Sequence, residues 1–290
     1  MKIEKTSYTI DKSVNDSALP KGLNLVLLAD FHDGDCEAVL NIVRDDVPDV
    51  ILIPGDVVLG YFPEGSAMVI DRCGNILPFL RGCAEIAPTY MSVGNHECLL
   101  CDEELEILKS TGINLLDNEW TELSVYDKCS EEPGERMRIL IGGLTSAHVI
   151  SYRRFREQCN KESNTYERYP YRPRPRDIGR YPADSEWLED FARQEGYKIL
   201  LCHHPEYWAL REPMIRDKTI DLVLSGHAHG GQWQILGHGI FAPGQGLLPK
   251  YTHGVHYGPY GRLIISRGLS NPYSFAPRWG NPPEVVYLRF

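Results

Sequence analysis

Nowhere does the sequence offer the run of about 18 apolar residues that a membrane-crossing helix needs, and the opening MKIEKTSYTIDKSVNDSALPKG has no apolar core long enough for a secretory leader. These absences point to the cytosol, with at most a peripheral membrane contact. Positive charge is also in short supply. With 30 basic side chains against 40 acidic ones the net charge is -10, so the sequence-independent attraction of basic proteins to nucleic acid is not expected. An anionic substrate must therefore be drawn in by a local feature. Eight cysteines (Cys36, Cys73, Cys83, Cys98, Cys101, Cys129, Cys159 and Cys202) are spread too thinly for a disulfide scaffold, which suits a reducing compartment. Neither a repeat of fixed period nor a linker between two cores is visible, so 1–290 reads as one domain.

What is present is enough apolar material, 42% of residues, for a large core. Short runs rich in Val, Ile and Leu at 23–29, 50–53, 89–93, 138–141, 197–202, 220–224, 262–265 and 285–288 have the character of buried strands. Amphipathic stretches lie between several of them: 35–46 before Pro48, 103–110 before Gly112, and 185–195, which Asp184 could cap and Gly196 terminate. The class is mixed α/β. Two segments break the rhythm. Residues 152–180 carry nine Arg or Lys against four acids, with Tyr166, Tyr169, Tyr171 and three prolines among them, and read as an insertion or cap suited to gripping an anionic or lipid substrate. The second, 230–261, is dense in glycine and proline and reads as a long ordered loop or a chain of short hairpins.

Five of the expected strands end in metal-ligand chemistry: Asp30-Phe31-His32, Gly55-Asp56, Gly94-Asn95-His96-Glu97, His203-His204-Pro205 and Gly226-His227-Ala228-His229. Each piece alone has a plain explanation, since Gly-Asp is a common turn and a lone buried histidine is usually hydrogen-bonded core. Together, each directly after a strand, they place many ligands where open α/β sheets bind theirs, at the carboxyl ends. If the chain stays extended, Asp30 and His32 project to one side, as do His227 and His229. Carboxylate mixed with imidazole suits Mn, Fe or Zn better than Mg or Ca, and the ligand count suits two ions sharing a carboxylate.

These motifs resemble those of the calcineurin-like metallophosphoesterases: Asp-x-His, Gly-Asp, Gly-Asn-His-Asp/Glu, His and Gly-His-x-His. The longer string Ser225-Gly226-His227-Ala228-His229-Gly230-Gly231-Gln232, with Arg267-Gly268-Leu269, is similar to an envelope-associated bacterial branch that includes UDP-diacylglucosamine pyrophosphatases. The resemblance implies a four-layer α-β-β-α sandwich of two mixed sheets flanked by helices. It also implies two divalent ions, one held by Asp30, His32 and His229, the other by Asn95, His203 and His227, with Asp56 bridging. Of the neighbouring pair, His203 is the implied ligand because it stands two residues before the proline. The implied reaction is hydrolysis of a phosphomonoester, phosphodiester or pyrophosphate by in-line attack of a metal-bridging hydroxide. His96 is the implied proton donor to the leaving oxygen, its competing role being to orient Asn95.

Two departures bear on substrate class: Val57-Val58-Leu59 follow Gly-Asp where relatives often have another acid, and Leu144-Thr145-Ser146 stand where an Asp is common. A metal-free interaction scaffold on the same fold is the alternative function, disfavoured because scaffolds lose ligands and all seven are retained here. Among weaker signals, Cys98 and Cys101 read as helix packing rather than a redox or zinc pair, and His253 and His256 as structural. Tyr273, Phe275 and Trp279 read as core before they read as an apolar rim for a lipid tail.

Overall fold

Strands in which every residue is apolar must be covered on both faces. In the computed structural model, which describes residues 2–14, 19–59, 68–126, 136–146, 185–210, 213–271 and 277–290, two mixed six-stranded sheets meet this demand by packing against each other and against helices. The segment 152–180, with Cys129, Cys159, Asp184, Tyr273 and Phe275, lies outside the described residues.

The first sheet contains β1 (Glu4–Thr9), β2 (Asn24–Leu27), β3 (Val50–Ile53), β4 (Thr89–Ser92) and β5 (Asn114–Leu116), and the second begins with β6 (Glu119–Tyr126), β7 (Arg136–Leu144), β8 (Tyr197–Cys202) and β9 (Leu222–Ser225). Two small hairpins follow, β10 (Gln234–Ile235) with β11 (His238–Gly239) and β12 (Phe241–Ala242) with β13 (Gly246–Leu247). The second sheet is completed by β14 (Gly254–Tyr257) and β15 (Arg262–Ile265), and the first by β16 (Glu284–Arg289). In the first sheet the order is β1-β16-β2-β3-β4-β5, with β2 to β5 parallel; in the second it is β14-β15-β9-β8-β7-β6, with β15, β9, β8 and β7 parallel.

The period of two along each strand separates three apolar layers. Leu25, Leu27, Val50 and Leu52 meet Ile139, Ile141, Ile199, Leu201 and Leu222 between the sheets. Their neighbours Val26, Leu28, Ile51 and Ile53 face outward onto α1 (Cys36–Asp46), α2 (Ile76–Ile86) and α3 (Asp102–Lys109). Leu140, Leu200 and Val223 face outward on the other side, onto α4 (Trp187–Arg193) and α5 (Glu206–Ala209). The expected four-layer sandwich is therefore present.

Several elements differ from the sequence expectation. Asp35 caps α1 as its position suggests, accepting from the Ala38 N–H at 3.0 Å, but α2 is a helix that Pro78 and Gly82 conceal. Pro78 sits in the first turn, where no intrahelical donor is lost. A Cβ on Gly82 would fall 2.3 Å from Leu40 Cδ1, so the glycine lets α1 and α2 pack closely. The helix expected at 185–195 is shorter, Trp187–Arg193, and Glu186 stands at its N-cap. Trp279 is not core: it is exposed. Cys98 is buried with its Sγ against Gly94 O, and Cys101 caps α3 in a reciprocal pairing with Glu104, which accounts for both thiols through packing.

The layer between the sheets carries the stability. Leu52→Ala should cost about 2–5 kcal/mol in urea-induced unfolding, whereas Val47→Ala on the exposed end of α1 should stay within about 0.5 kcal/mol. Equal effects would show that the inter-sheet layer is not the main core.

Candidate metal centre

Each of the five motifs starts within three residues of a strand's carboxyl end: Asp30 after β2, Asp56 after β3, Asn95 after β4, His203 after β8 and His227 after β9. Since β2, β3 and β4 are parallel neighbours in one sheet and β8 and β9 in the other, the packed sheets bring these ends to one edge.

The chain does not stay extended there. Asp30, His32, Asp56, His227 and His229 all have positive φ, between 44° and 66°, so left-handed turns rather than a continued pleat aim the side chains. Such conformations cost on the order of 1 kcal/mol or more each and persist only where the surroundings impose them. The surroundings are hydrogen-bonded accordingly. His32 N–H donates to Asp56 O at 3.2 Å and Asp33 N–H to Val57 O at 3.0 Å, extending the β2–β3 ladder through the turns. Glu97, fully buried, accepts from four backbone N–H groups: Asp56 at 2.7 Å, Val57 at 2.8 Å, Gly94 at 2.9 Å and Val58 at 3.1 Å. This carboxylate ties the Gly-Asp turn to the Gly-Asn-His-Glu turn. A Cβ on Gly94 would lie 2.4 Å from Asp56 Oδ1, and one on Gly226 would lie 2.5 Å from Asp30 Oδ2. Both glycines are required by the closeness of a carboxylate.

The two carboxylates are buried and oriented from behind. Both oxygens of Asp30 accept from His227 N–H at 3.1 Å, and Asp56 Oδ1 accepts from His96 N–H at 2.9 Å. Imidazole nitrogens surround their other sides. Asp30 Oδ1 lies 3.6 Å from His229 Nε2, 3.8 Å from His32 Nε2 and 4.0 Å from His203 Nε2. Asp56 Oδ2 lies 2.9 Å from His203 Nε2, 3.7 Å from His96 Nε2 and 4.0 Å from His32 Nε2. Three groups of donor atoms, each within 4.8 Å of one another, overlap here: Asp30 with His32 and His229, Asp56 with His203 and His227, and Asp56 with His32 and His96.

Ring orientation follows from the outer hydrogen bonds. Val58 O sits 3.1 Å from His32 Nδ1 and 3.2 Å from His96 Nδ1, and a carbonyl can only accept, so both rings carry a proton on Nδ1 and turn Nε2 toward Asp56. The His204 ring lies against that of His227, tilted by 43° with centroids 4.0 Å apart, and shares a 3.0 Å hydrogen bond with Ser146 Oγ, which supports His227 from outside. Arg278 Nη2 lies 3.1 Å from His229 Nδ1, and Asn281 Nδ2 donates to His229 O at 2.6 Å.

Burial alone would raise both aspartates, yet the imidazoles of His229, His32 and His203 hold Asp30, and those of His203 and His96 hold Asp56, well below the usual carboxylate range. Burial pushes His96 down to about 4 and His229 down to about 3, while at His203 the Asp56 carboxylate overcomes burial and raises it to about 9. The site therefore presents two buried anionic carboxylates among imidazole nitrogens. Asn95 Oδ1 is fully buried there without a hydrogen-bond partner, and the buried Nε2 atoms of His32 and His203 face only the two carboxylates. An unmatched buried polar atom costs about 1–3 kcal/mol, and cation coordination is what this donor set can satisfy.

The family model for calcineurin-like phosphoesterases matches residues 23–231, well over half the chain, and takes in all five motifs. The chain belongs to the calcineurin-like phosphoesterase family. It is accordingly a metal-dependent phosphoester hydrolase. Among its relatives, Phosphodiesterase YaeI of Escherichia coli is 26% identical over 94% of this chain and 83% of its own length. An uncharacterized metallophosphoesterase of Aquifex aeolicus is 24% identical over 99% and 91%. The solved structure of a dimetal phosphatase from Danio rerio matches 87% of this chain and 90% of its own, with 13% identity and a TM-score of 0.47.

Sequence reasoning quoted Glu97 in its motif without giving it a task, named Ser146 only as part of a departure from the family pattern, and passed over Arg278 and Asn281. Glu97 was the one within reach, as an acid beside Asn-His after two buried strands. Glu97→Gln replaces one acceptor oxygen with an NH2 that faces backbone N–H groups. The phosphoesterase should lose about 1–3 kcal/mol of stability and bind metal more weakly, read by thermal unfolding and elemental analysis. A melting temperature equal to the parent's would show that the carboxylate does not hold the two turns.

Proposed function

We propose that this phosphoesterase is a binuclear enzyme in which Asp30, His32 and His229 hold one divalent ion, Asn95, His203 and His227 hold the second, and Asp56 serves both. The observation that carries this is the overlap of three buried groups of donor atoms around two anionic carboxylates, with the unmatched Asn95 Oδ1 beside them. The mixture of carboxylate, imidazole and amide oxygen favours Mn, Fe or Zn. When bound, the ions supply Lewis acidity toward phosphoryl oxygens and a water-derived nucleophile near neutral pH.

The chain's own residues supply the rest. Val58 O fixes the His32 and His96 rings in one tautomer, and Glu97 fixes the turn that carries Asp56. His96 faces Asp56 through Nε2, with its ring slightly open to the outside, and gives a proton to the oxygen that leaves phosphorus once Nε2 has taken one up. Burial, which pushes its pKa down to about 4, makes that proton an acidic one. The substrate is a phosphomonoester, phosphodiester or pyrophosphate. Because the Escherichia coli relative is named a phosphodiesterase, the diester stands first among these. The cytosol is the compartment that suits the buried thiols of Cys36, Cys83 and Cys202.

Elemental analysis of active enzyme should find two ions per chain, and Asp56→Asn should reduce turnover more than any single terminal ligand does, beyond the about 10- to 100-fold typical of an outer partner. Hydrolysis of mono-, di- and pyrophosphate esters, after reconstitution with each metal separately, gives reaction class and metal together. One ion in a fully active preparation would exclude the binuclear assignment.

For His96 the leaving group is the probe. His96→Asn should slow esters of poorly acidic alcohols by about 100- to 10,000-fold and nitrophenyl esters much less, because a nitrophenolate departs without a proton. If His96 instead positions Asn95, metal binding weakens and both ester types suffer alike. The same leaving-group dependence in variant and parent would remove the proton-donor role.

A further inference from the structure

Among its 40 acidic residues the chain has none from 222 to 283, the stretch that runs from the Gly-His-x-His motif through both small hairpins to the last strand. Its basic residues are few and mostly occupied: Arg262 and Arg278 are buried, and Arg267 pairs with Glu284 at 2.8 Å and Glu4 at 3.0 Å. Lys250 is exposed. Glu206, which lies under Gly244, is itself fully buried. On a protein of net charge -10 this stretch offers no carboxylate of its own.

In place of charge the hairpins present leucine. Leu236 at the tip of the β10–β11 hairpin is 94% exposed, and Leu247 and Leu248 at the end of the β12–β13 hairpin are 76% and 79% exposed. Leu236 and Leu248 also have positive φ, 51° and 52°, a conformation that bulky side chains rarely adopt. A turn of this kind is ordinarily given to Gly, Asn or Asp, which solve both the backbone problem and the hydration problem. Leu236 at its tip and Leu248 just after β13 are unfavourable on both counts in water, so the folded chain alone does not account for them.

The apolar side chains belong to one connected stretch. Trp233 bridges Trp279 in parallel, which puts both rings on one side, and Trp279 is 63% exposed. Ile240 N–H donates to Trp233 O at 2.8 Å and Leu248 N–H to Ile240 O at 2.9 Å, while Phe241 and Leu247 pair across their hairpin. The stretch is anchored to the metal centre, since Gln234 Nε2 donates to Gly230 O at 2.7 Å and Asn281 holds His229 O.

We propose that the hairpins 234–239 and 241–247, with Trp233 and Trp279, insert the exposed side chains of Leu236, Leu247 and Leu248 into the headgroup boundary of a lipid bilayer and so hold the metal centre at a membrane surface. Exposed leucines on a short stretch of hairpins, bordered by tryptophan and one lysine and free of carboxylate, match an interface that is apolar beneath and often anionic above. A protein partner would instead be met by a packed patch with a charged rim. The proposal uses the site assigned above for its location only; vesicle binding is read without turnover, so either can fail while the other stands.

The test is co-sedimentation of the full chain with vesicles of phosphatidylcholine and with vesicles of phosphatidylcholine mixed with phosphatidylglycerol, for the parent and for Leu236→Asp/Leu247→Asp/Leu248→Asp. The parent should bind both, and the anionic vesicles more tightly. The triple variant should lose about 100-fold or more in partitioning, because each buried leucine favours the bilayer by an order of magnitude or more. Its circular dichroism and its hydrolysis of nitrophenyl phosphate in free solution should match the parent's. A Leu236→Ser/Leu247→Ser/Leu248→Ser variant, which adds no charge, should fall in between and guards against misfolding of the aspartate variant. Failure of the parent to bind either vesicle, or equal binding by parent and triple variant, would overturn the proposal. So would a parent that is dimeric by sedimentation equilibrium and does not bind vesicles, with the triple variant monomeric, since a second copy would then cover the leucines.

Discussion

The approach of Asp56 to His203, 2.9 Å between Oδ2 and Nε2, joins the two sheets at the edge where their parallel strands end. Everything else at that edge is arranged around it. Asp56 leaves the first sheet at the end of β3 and His203 leaves the second at the end of β8, so the contact exists only if the sheets pack in one relative position. The inter-sheet layer of Leu27, Leu52, Ile199 and Leu201 sets that position. A core of interlocking side chains is therefore what brings candidate donor groups from two sheets within one cluster.

Such a cluster is expensive to bury, and the structure shows how the cost is contained. Each carboxylate is anchored from behind by a main-chain N–H and faced by imidazoles that keep it ionised despite desolvation. Glu97 performs the complementary task for the backbone, satisfying four N–H groups in turns that no longer belong to a sheet ladder. It is buried between Asp56 and the amides, and its own pKa is raised by burial and by the neighbouring Asp56 charge. The amide dipoles oppose that rise without cancelling it. Negative charge has thus been concentrated where a divalent cation stabilises it.

Much of this was legible in the order of residues. The run Val50 to Ile53, apolar at every position, announced a strand covered on both faces, and a motif of metal-ligand residue types after each of five largely apolar runs announced a shared edge. What the order could not convey was the route of the chain through the turns. Asp-x-His suggested a continued pleat, and the left-handed φ of Asp30 and His32 depends on amide partners from a different loop. α2 was hidden because Pro78 and Gly82 are helix breakers in isolation, and only the proximity of Leu40 explains the glycine. β1, with the polar string Glu4 to Thr9, reads as nothing until β16 lies beside it. Trp279 looked like core because aromatic residues usually are, and its exposure follows from its place beside Trp233 at the rim.

The C-terminal strand supplies the last step. β16 lies between β1 and β2 and pairs Arg289 with Asn24 and Val286 with Leu27, so residues from opposite ends of the chain are neighbours in the first sheet. The segment that precedes it delivers Arg278 and Asn281 to the back of His229, and Glu284 accepts from Arg267 N–H beside the turn that meets Asp30. Closure of so long a loop is entropically costly and comes with the global fold rather than with any local unit. His229 therefore has its support only once β16 is in place. The side chains of the early motifs, Asp30 to His96, can be ordered by neighbouring β-α-β connections, whereas the set around His229 requires the whole chain. Cation binding at the completed edge must then favour the fully assembled sandwich over every partly folded form, which makes the metal centre a thermodynamic fastener of the fold as well as its site of chemistry.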